Sequence, residues 1–249
     1  MIIVSNWKAI VEDIKTARRL VEAAQKVTTT GKHKVILAPP FPFIAELART
    51  KSKLFYAGQD LSVTDGGSQT GEVTGVMLKS SGASYVLIGH SERRARGETD
   101  RDVATKVKSA LAAGLTPIVC VGERKRDADA QYLSFVRTQL QAVYGGLKKN
   151  EIARIMLAYE PVWAIGKSAA SALSPGDLVE MVGYIRKIIA QYVPQKVANQ
   201  TLILYGGSVD GSNVHALTEG TGVVGVLVGR ASTDPKSFLA LAKALGSVR

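Results

Sequence analysis

Several polar residues of this chain sit directly behind short apolar runs, and their types suit proton chemistry at carbon. Glu160 ends the run Ile155 to Tyr159 and is followed at once by Pro161-Val162-Trp163-Ala164-Ile165-Gly166. A carboxylate among Tyr159, Trp163 and Ile165 faces desolvation, which disfavours its charged form and is expected to raise its pKa toward that of a useful base. His90 lies in Gly89-His90-Ser91-Glu92-Arg93-Arg94 and can donate a hydrogen bond to a carbonyl or enediolate oxygen. Lys8, in Asn6-Trp7-Lys8, supplies a fixed cation for a dianionic substrate and for developing negative charge. Tyr205-Gly206-Gly207-Ser208 and Gly229-Arg230-Ala231-Ser232 are turns whose backbone N–H groups can cradle phosphate. The three histidines, His33, His90 and His215, are scattered without metal-ligand spacing. The set reads as metal-free proton abstraction next to the carbonyl of a small phosphate ester.

Each residue alone has a plainer structural reading. Glu160 could pair with a nearby Lys or Arg, Lys8 could lie on the surface, and His90 could be a hydrogen-bonded structural histidine. Glu92 could start a helix, and Gly206-Gly207 could be only a tight turn. Their joint position behind apolar runs favours the chemistry. The elements that must place them are therefore strands. The candidates are Ile2–Ser5, Val35–Ala38, Leu54–Ala57, Tyr85–Ile88, Ile118–Val121, Ile155–Tyr159, Leu202–Leu204 and Val223–Val228. These runs lack strict polar alternation, as expected of strands buried on both faces of a parallel sheet.

Helical patterns lie between them. Glu12–Val27 carries Ile14, Ala17, Leu20, Val21 and Ala24 on one face. Asp100–Ala113 and Asp127–Tyr144 begin with acids, which favour a helix N-terminus. Ser174-Pro175-Gly176-Asp177 reads as N-cap, proline and first-turn acid, and Asp234-Pro235 repeats the device before a last helix ending near Leu245. The segments after the second and third strands look shorter. Eight β–α steps in 249 residues predict an α/β chain forming one (β/α)8 barrel domain over residues 1–249. An open doubly wound sheet would more often show a glycine-rich turn after its first strand, where this chain has Asn6-Trp7-Lys8. In such barrels the chemistry sits where strands end.

The formal net charge of +11 is high. The basic clusters are short, dispersed and not interleaved with aromatics, so the charge reads as a solvated surface that attracts phosphorylated ligands rather than as a nucleic-acid module. No apolar run reaches the length of a membrane span, and the N-terminus lacks the pattern of a signal peptide. The single cysteine, Cys120, fits a reducing cytoplasm.

In order along nearly the whole chain, the sequence resembles the triosephosphate isomerase family. The motifs that carry the resemblance are Asn6-Trp7-Lys8, Thr70-Gly71-Glu72, Gly89-His90-Ser91-Glu92-Arg93-Arg94, Pro117 to Glu123, Ala158 to Gly166, Tyr205-Gly206-Gly207-Ser208-Val209 and Gly225 to Gly229. The resemblance implies interconversion of dihydroxyacetone phosphate and glyceraldehyde 3-phosphate without a metal or cofactor. It implies Glu160 as the proton shuttle, neutral His90 as the electrophile and Lys8 as the electrostatic holder. Asn6 would support the site, and Glu92 would organise Lys8 and His90. Pro161–Ala169 would be a lid that brings the Gly166 amide to the phosphate and excludes water. Ser208, Gly229 and Arg230 would complete the phosphate cradle through their backbones. A homodimer would form through the loop Asp65–Val73, with Thr70 reaching across.

The chain departs from the family pattern in four places. Arg230 stands where a second glycine is common, with its guanidinium expected to point outward. The hinge at Lys167–Ala172 looks longer than usual, Ala9-Ile10 replaces Met-Asn, and the segment after Arg94 looks one residue short, with Arg96 where an aromatic is common. The alternatives are another sugar-phosphate isomerase or epimerase on a barrel, and a non-catalytic nucleic-acid-binding or scaffolding barrel.

Overall fold

The structure, a computed structural model, describes residues 1–29, 32–50, 52–166 and 173–246. The strands are β1 (Ile2–Asn6), β2 (Lys34–Ala38), β3 (Phe55–Gly58), β4 (Tyr85–Ile88), β5 (Thr116–Val121), β6 (Met156–Tyr159), β7 (Leu202–Tyr205) and β8 (Gly225–Val228). They form a closed barrel in sequence order. Every neighbouring pair is parallel, and β8 returns to β1 in the register Ile2↔Gly225 to Ser5↔Val228. The strand boundaries expected from the apolar runs hold to within two residues.

Closure explains why those runs do not alternate with polar residues. One set of alternate positions fills the barrel interior, including Val4, Ile36, Leu87, Ile118, Ala158 and Leu204. The other set, including Ile3, Leu37, Val119, Leu157, Ile203 and Val226, packs outward against the helices. Both faces of each strand are dry, so both want apolar side chains.

The helices are α1 (Ile14–Thr29), α2 (Phe41–Leu47), α3 (Gly75–Ser80), α4 (Ser91–Arg94), α5 (Asp100–Ala112), α6 (Gln131–Tyr144), α7 (Lys149–Ile152), α8 (Pro175–Ile189), α9 (Gln195–Gln200), α10 (Val214–Thr218) and α11 (Pro235–Leu245). The short segments expected after the second and third strands are α2 and α3. The expected caps of the last two long helices are present: Ser174 accepts from the Asp177 N–H, and Asp234 accepts from the Ser237 N–H.

Two helix starts differ from the sequence reading. The first helix begins at Ile14 rather than Glu12, because Asp13 accepts from both the N–H and the hydroxyl of Thr16 and acts as its cap. The sixth begins at Gln131 rather than Asp127. Ala130 takes a left-handed conformation at φ 55°, which interrupts any helix running in from Asp127, and the Asp127 carboxylate instead accepts from the Gln131 N–H. Among the described residues, no helix is long and apolar enough to cross a membrane.

Barrel closure depends on a glycine at the seam. A Cβ at Gly225 would lie 1.9 Å from the carbonyl oxygen of Ile2, its register partner. Gly225→Ala is therefore expected to destabilise the protein by at least about 1–3 kcal/mol, the usual cost of forcing atoms into a packed interior. Urea unfolding checks this through a lowered midpoint. An unchanged midpoint would mean the β8–β1 seam is not so tight.

Candidate active site

The C-terminal ends of the strands converge on Glu160. The backbone ladder continues one residue past β6, because the Glu160 N–H donates to Val121 O at 2.8 Å. Ala158 fills the barrel interior and Tyr159 packs outward, so alternation turns Glu160 inward at the mouth. Its side chain is almost fully buried. One carboxylate oxygen accepts from the Ser91 N–H at 3.1 Å, and the other lies 3.4 Å from His90 Nε2. Two glycines make room for this residue, Gly122 for its backbone carbonyl and Gly206 for its side chain. A Cβ at Gly122 would lie 1.8 Å from Glu160 O, and one at Gly206 would lie 2.8 Å from Glu160 Cγ.

His90 follows Gly89, whose φ of 73° turns the chain out of β4 into α4. The histidine is buried, and its Nδ1 accepts from the Glu92 N–H at 3.2 Å. A nitrogen that accepts carries its lone pair, so in this arrangement the proton sits on Nε2, facing Glu160. One backbone N–H in the first turn of α4 therefore leaves Nε2 as the nitrogen that faces the mouth.

Lys8 lies beyond β1 with a φ of 51°, unusual for a residue with a side chain. Local bonds hold it there: its N–H donates to Asn6 Oδ1 at 3.0 Å, and its carbonyl accepts from Gln59 Nε2 at 2.9 Å. Gln59 also donates to Ala38 O, tying the β1, β2 and β3 ends together. The Lys8 ammonium bonds Glu92 Oε1 at 2.5 Å. Partial burial works against ionising Glu92, but the Lys8 ammonium outweighs it, so that carboxyl is held below the usual carboxylate range. Lys8, Glu92, His90 and Glu160 therefore form one chain of contacts across the mouth.

The glycine turns complete the rim. The Gly206 N–H donates to Tyr159 O at 2.8 Å, extending the β6–β7 ladder. Ser208 Oγ donates to Ala164 O at 2.8 Å, which links the turn after β7 to the segment after Glu160. At Gly229 a Cβ would lie 3.4 Å from Lys8 Cε, so the turn after β8 borders the lysine. Arg230 opens a short 3-10 turn, Arg230–Ser232, whose last bonds run from Thr233 to Arg230 O. The residue is exposed and has no ion-pair partner among the described residues. Gly166 is exposed at φ 76° and stands apart from the buried cluster. The hinge expected at Lys167–Ala172 lies outside the described residues.

Sequence reasoning assigned no role to two residues of this site. Gln59 is one. The other is Glu123, just beyond β5, which is buried and accepts from Tyr159 Oη at 2.9 Å and from Trp163 Nε1 at 2.8 Å. One carboxylate thus anchors the residue before Glu160 and a residue three beyond it. Burial first, then Glu123, push the Tyr159 phenol far above its usual range, so it stays a donor. The signal for Glu123 was present: like Glu160, it is a lone carboxylate behind a wholly apolar run. Cys120, in the interior one layer below Glu160, has its thiol pushed well up by burial and then by the Glu160 carboxylate, so it is not a nucleophile.

Comparison with known proteins follows the same lines. The family model described as triosephosphate isomerase matches residues 1–245. The chain is 41% identical over 254 aligned positions to the triosephosphate isomerase of Alkalilimnicola ehrlichii, covering 97% of each protein. It is 36% identical over 252 positions to that of Symbiobacterium thermophilum, covering 100% of this chain and 98% of the relative. With the protein of the same name from Roseiflexus sp. the identity is 38% over 244 positions, covering 96% and 94%.

Proposed function

Because the chain belongs to the triosephosphate isomerase family, it is an aldose–ketose isomerase, and we infer how its barrel mouth interconverts dihydroxyacetone phosphate and D-glyceraldehyde 3-phosphate. Glu160 removes a proton from the carbon next to the substrate carbonyl. The electrons move onto the carbonyl oxygen and form an enediolate. His90 donates through Nε2–H to the enediolate oxygens, and the Lys8 ammonium stabilises the charge that develops there. The hydroxyl proton on the neighbouring oxygen passes to the former carbonyl oxygen through the His90 Nε2 that faces both, and Glu160 returns its own proton to the neighbouring carbon, which completes the exchange of ketone for aldehyde.

The observation that supports this reading most is the 3.4 Å separation of a buried Glu160 oxygen from His90 Nε2. A base at the end of β6 and a hydrogen-bond donor at the end of β4, on either side of β5, can then address two neighbouring atoms of one small molecule. With substrate bound, the carboxylate exchanges its Ser91 N–H bond for the reacting carbon. Asn6 and Glu92 act by holding Lys8 and His90. The backbones of Ser208, Gly229 and Arg230, with Gly166 from the segment after Glu160, take the phosphate. Family membership over nearly the whole chain sets aside the epimerase and nucleic-acid alternatives. We read residues 1–249 as one domain and the cytoplasm as its compartment, in keeping with a single buried thiol.

We also propose a homodimer through Asp65–Val73 with Thr70 at its tip. The loop is exposed for nearly its whole length. Exposed apolar side chains flank it in the same connection, Val63 before it and Val76 and Met77 after it, and Ile10 after β1 is exposed as well. Their burial against a second copy gives the loop a reason to project.

Three measurements test these readings. Purified protein is expected to equilibrate the two triose phosphates in a coupled assay without added metal or cofactor. Glu160→Gln is expected to lower kcat by roughly a hundredfold to ten-thousandfold, while binding of 2-phosphoglycolate persists. Activity surviving that change would remove Glu160 as the base. Light scattering at micromolar concentration is expected to give twice the mass of one chain, and a single-chain mass would defeat the dimer.

A further inference from the structure

Arg126 stands outside the roles assigned so far, yet it touches both sides of the Glu160 segment. Its Nε lies 3.5 Å from Glu123 Oε1, and its Nη1 bonds Asp177 Oδ1 at 2.9 Å. The guanidinium also lies over the rings of Tyr132, at 4.8 Å, and Trp163, at 5.9 Å. Asp177 is in the first turn of α8, the first described helix after Gly166, and its carboxylate is fixed by Ser174 Oγ at 2.6 Å. We propose that Arg126 is a positioning residue for the isomerisation: it fixes the Glu123 carboxylate, and through it the backbone that aims Glu160.

The argument starts from a buried charge. Glu123 is 1% exposed. Its other bonds come from the neutral donors Tyr159 and Trp163, and Arg126 is its one ion-pair partner among the described residues. A buried carboxylate without a countercharge takes up a proton or moves toward water, and both outcomes disturb its other bonds. The residues holding those bonds are the immediate predecessor of Glu160 and the residue three beyond it. A guanidinium suits the task because its planar fork reaches Glu123 and Asp177 from one group and stacks on aromatic rings at the same time. A shift in this frame turns the Glu160 carboxylate away from the reacting carbon without touching Lys8 or Gly229.

This inference rests on Glu160 being the base, and the test separates the two. The full-length chain is prepared with Arg126→Met, Arg126→Lys and Asp177→Asn, with Glu160→Gln as a control. The readouts are kcat, KM, unfolding by urea and the emission of Trp163, taken as the difference from Trp163→Phe. Folded Arg126→Met is expected to lower kcat and kcat/KM together by roughly tenfold to a hundredfold, as for a small misplacement of a reacting group, with KM little changed. Trp163 emission shifts as well, and Arg126→Lys, which keeps a cation beside Glu123, recovers part of the rate. A parental kcat in Arg126→Met would overturn the proposal, as would a loss of rate with unchanged Trp163 emission and no recovery in Arg126→Lys. Should Arg126→Met fail to fold, Asp177→Asn decides. A smaller fall in kcat with shifted emission supports the proposal, and parental values of both overturn it. Parental activity in Glu160→Gln would instead remove the base, while the emission still reports whether Arg126 holds Trp163.

Discussion

A carboxylate held in the dry mouth of the barrel is the constraint on which the rest of this structure turns. Burying Glu160 is costly unless donors meet it, and the donors come from the connection after β4, one strand beyond β5, as the Ser91 N–H and the His90 ring. The space comes from Gly122 and Gly206, where a Cβ would strike Glu160 itself. The direction comes from alternation along β6 and from the bond of Glu160 to Val121. Barrel closure, two missing side chains and the first turn of a short helix therefore converge on one residue. None of them would be demanded by a glutamate that merely ended a strand.

The frame on either side of Glu160 differs in kind. On the barrel side it is backbone: the ladder from β5 through β6 to β7 continues to Glu160 and Gly206. On the far side one backbone bond, from the Val162 N–H to Glu123 O at 2.9 Å, is joined by side-chain bonds, with Trp163 bonded to Glu123, Ala164 bonded to Ser208, and Arg126 beside Glu123 and Asp177. Side-chain bonds of this kind can exchange without undoing the barrel, whereas ladder bonds cannot. The arrangement suits a base that must be firmly aimed.

Much of this was legible in the sequence because it rests on local pattern. Apolar runs marked the strands, since both faces of a barrel strand are buried, and Ser174 and Asp234 marked helix starts by capping chemistry. Glu160, His90 and Lys8 were legible because each stands at the end of such a run. What stayed hidden depends on distant partners or on backbone angles. The left-handed turn at Ala130 delayed α6, and no residue type announced it. Lys8 needs the carbonyl bond from Gln59, a residue of a different strand end. Glu123 was visible as a lone carboxylate, but its task depends on Tyr159, Trp163 and Arg126, which only the closed barrel gathers around it.

The central claim is that Glu160 carries a proton between adjacent carbons through an enediolate. Isomerisation of dihydroxyacetone phosphate in deuterium oxide, followed by NMR of the product, tests it most directly. A carboxylate that holds the abstracted proton within reach of solvent exchanges some of it, so part of the glyceraldehyde 3-phosphate is predicted to carry deuterium at its second carbon. Product formed at full rate with no deuterium at that carbon under any condition would point to direct hydride transfer and contradict the account.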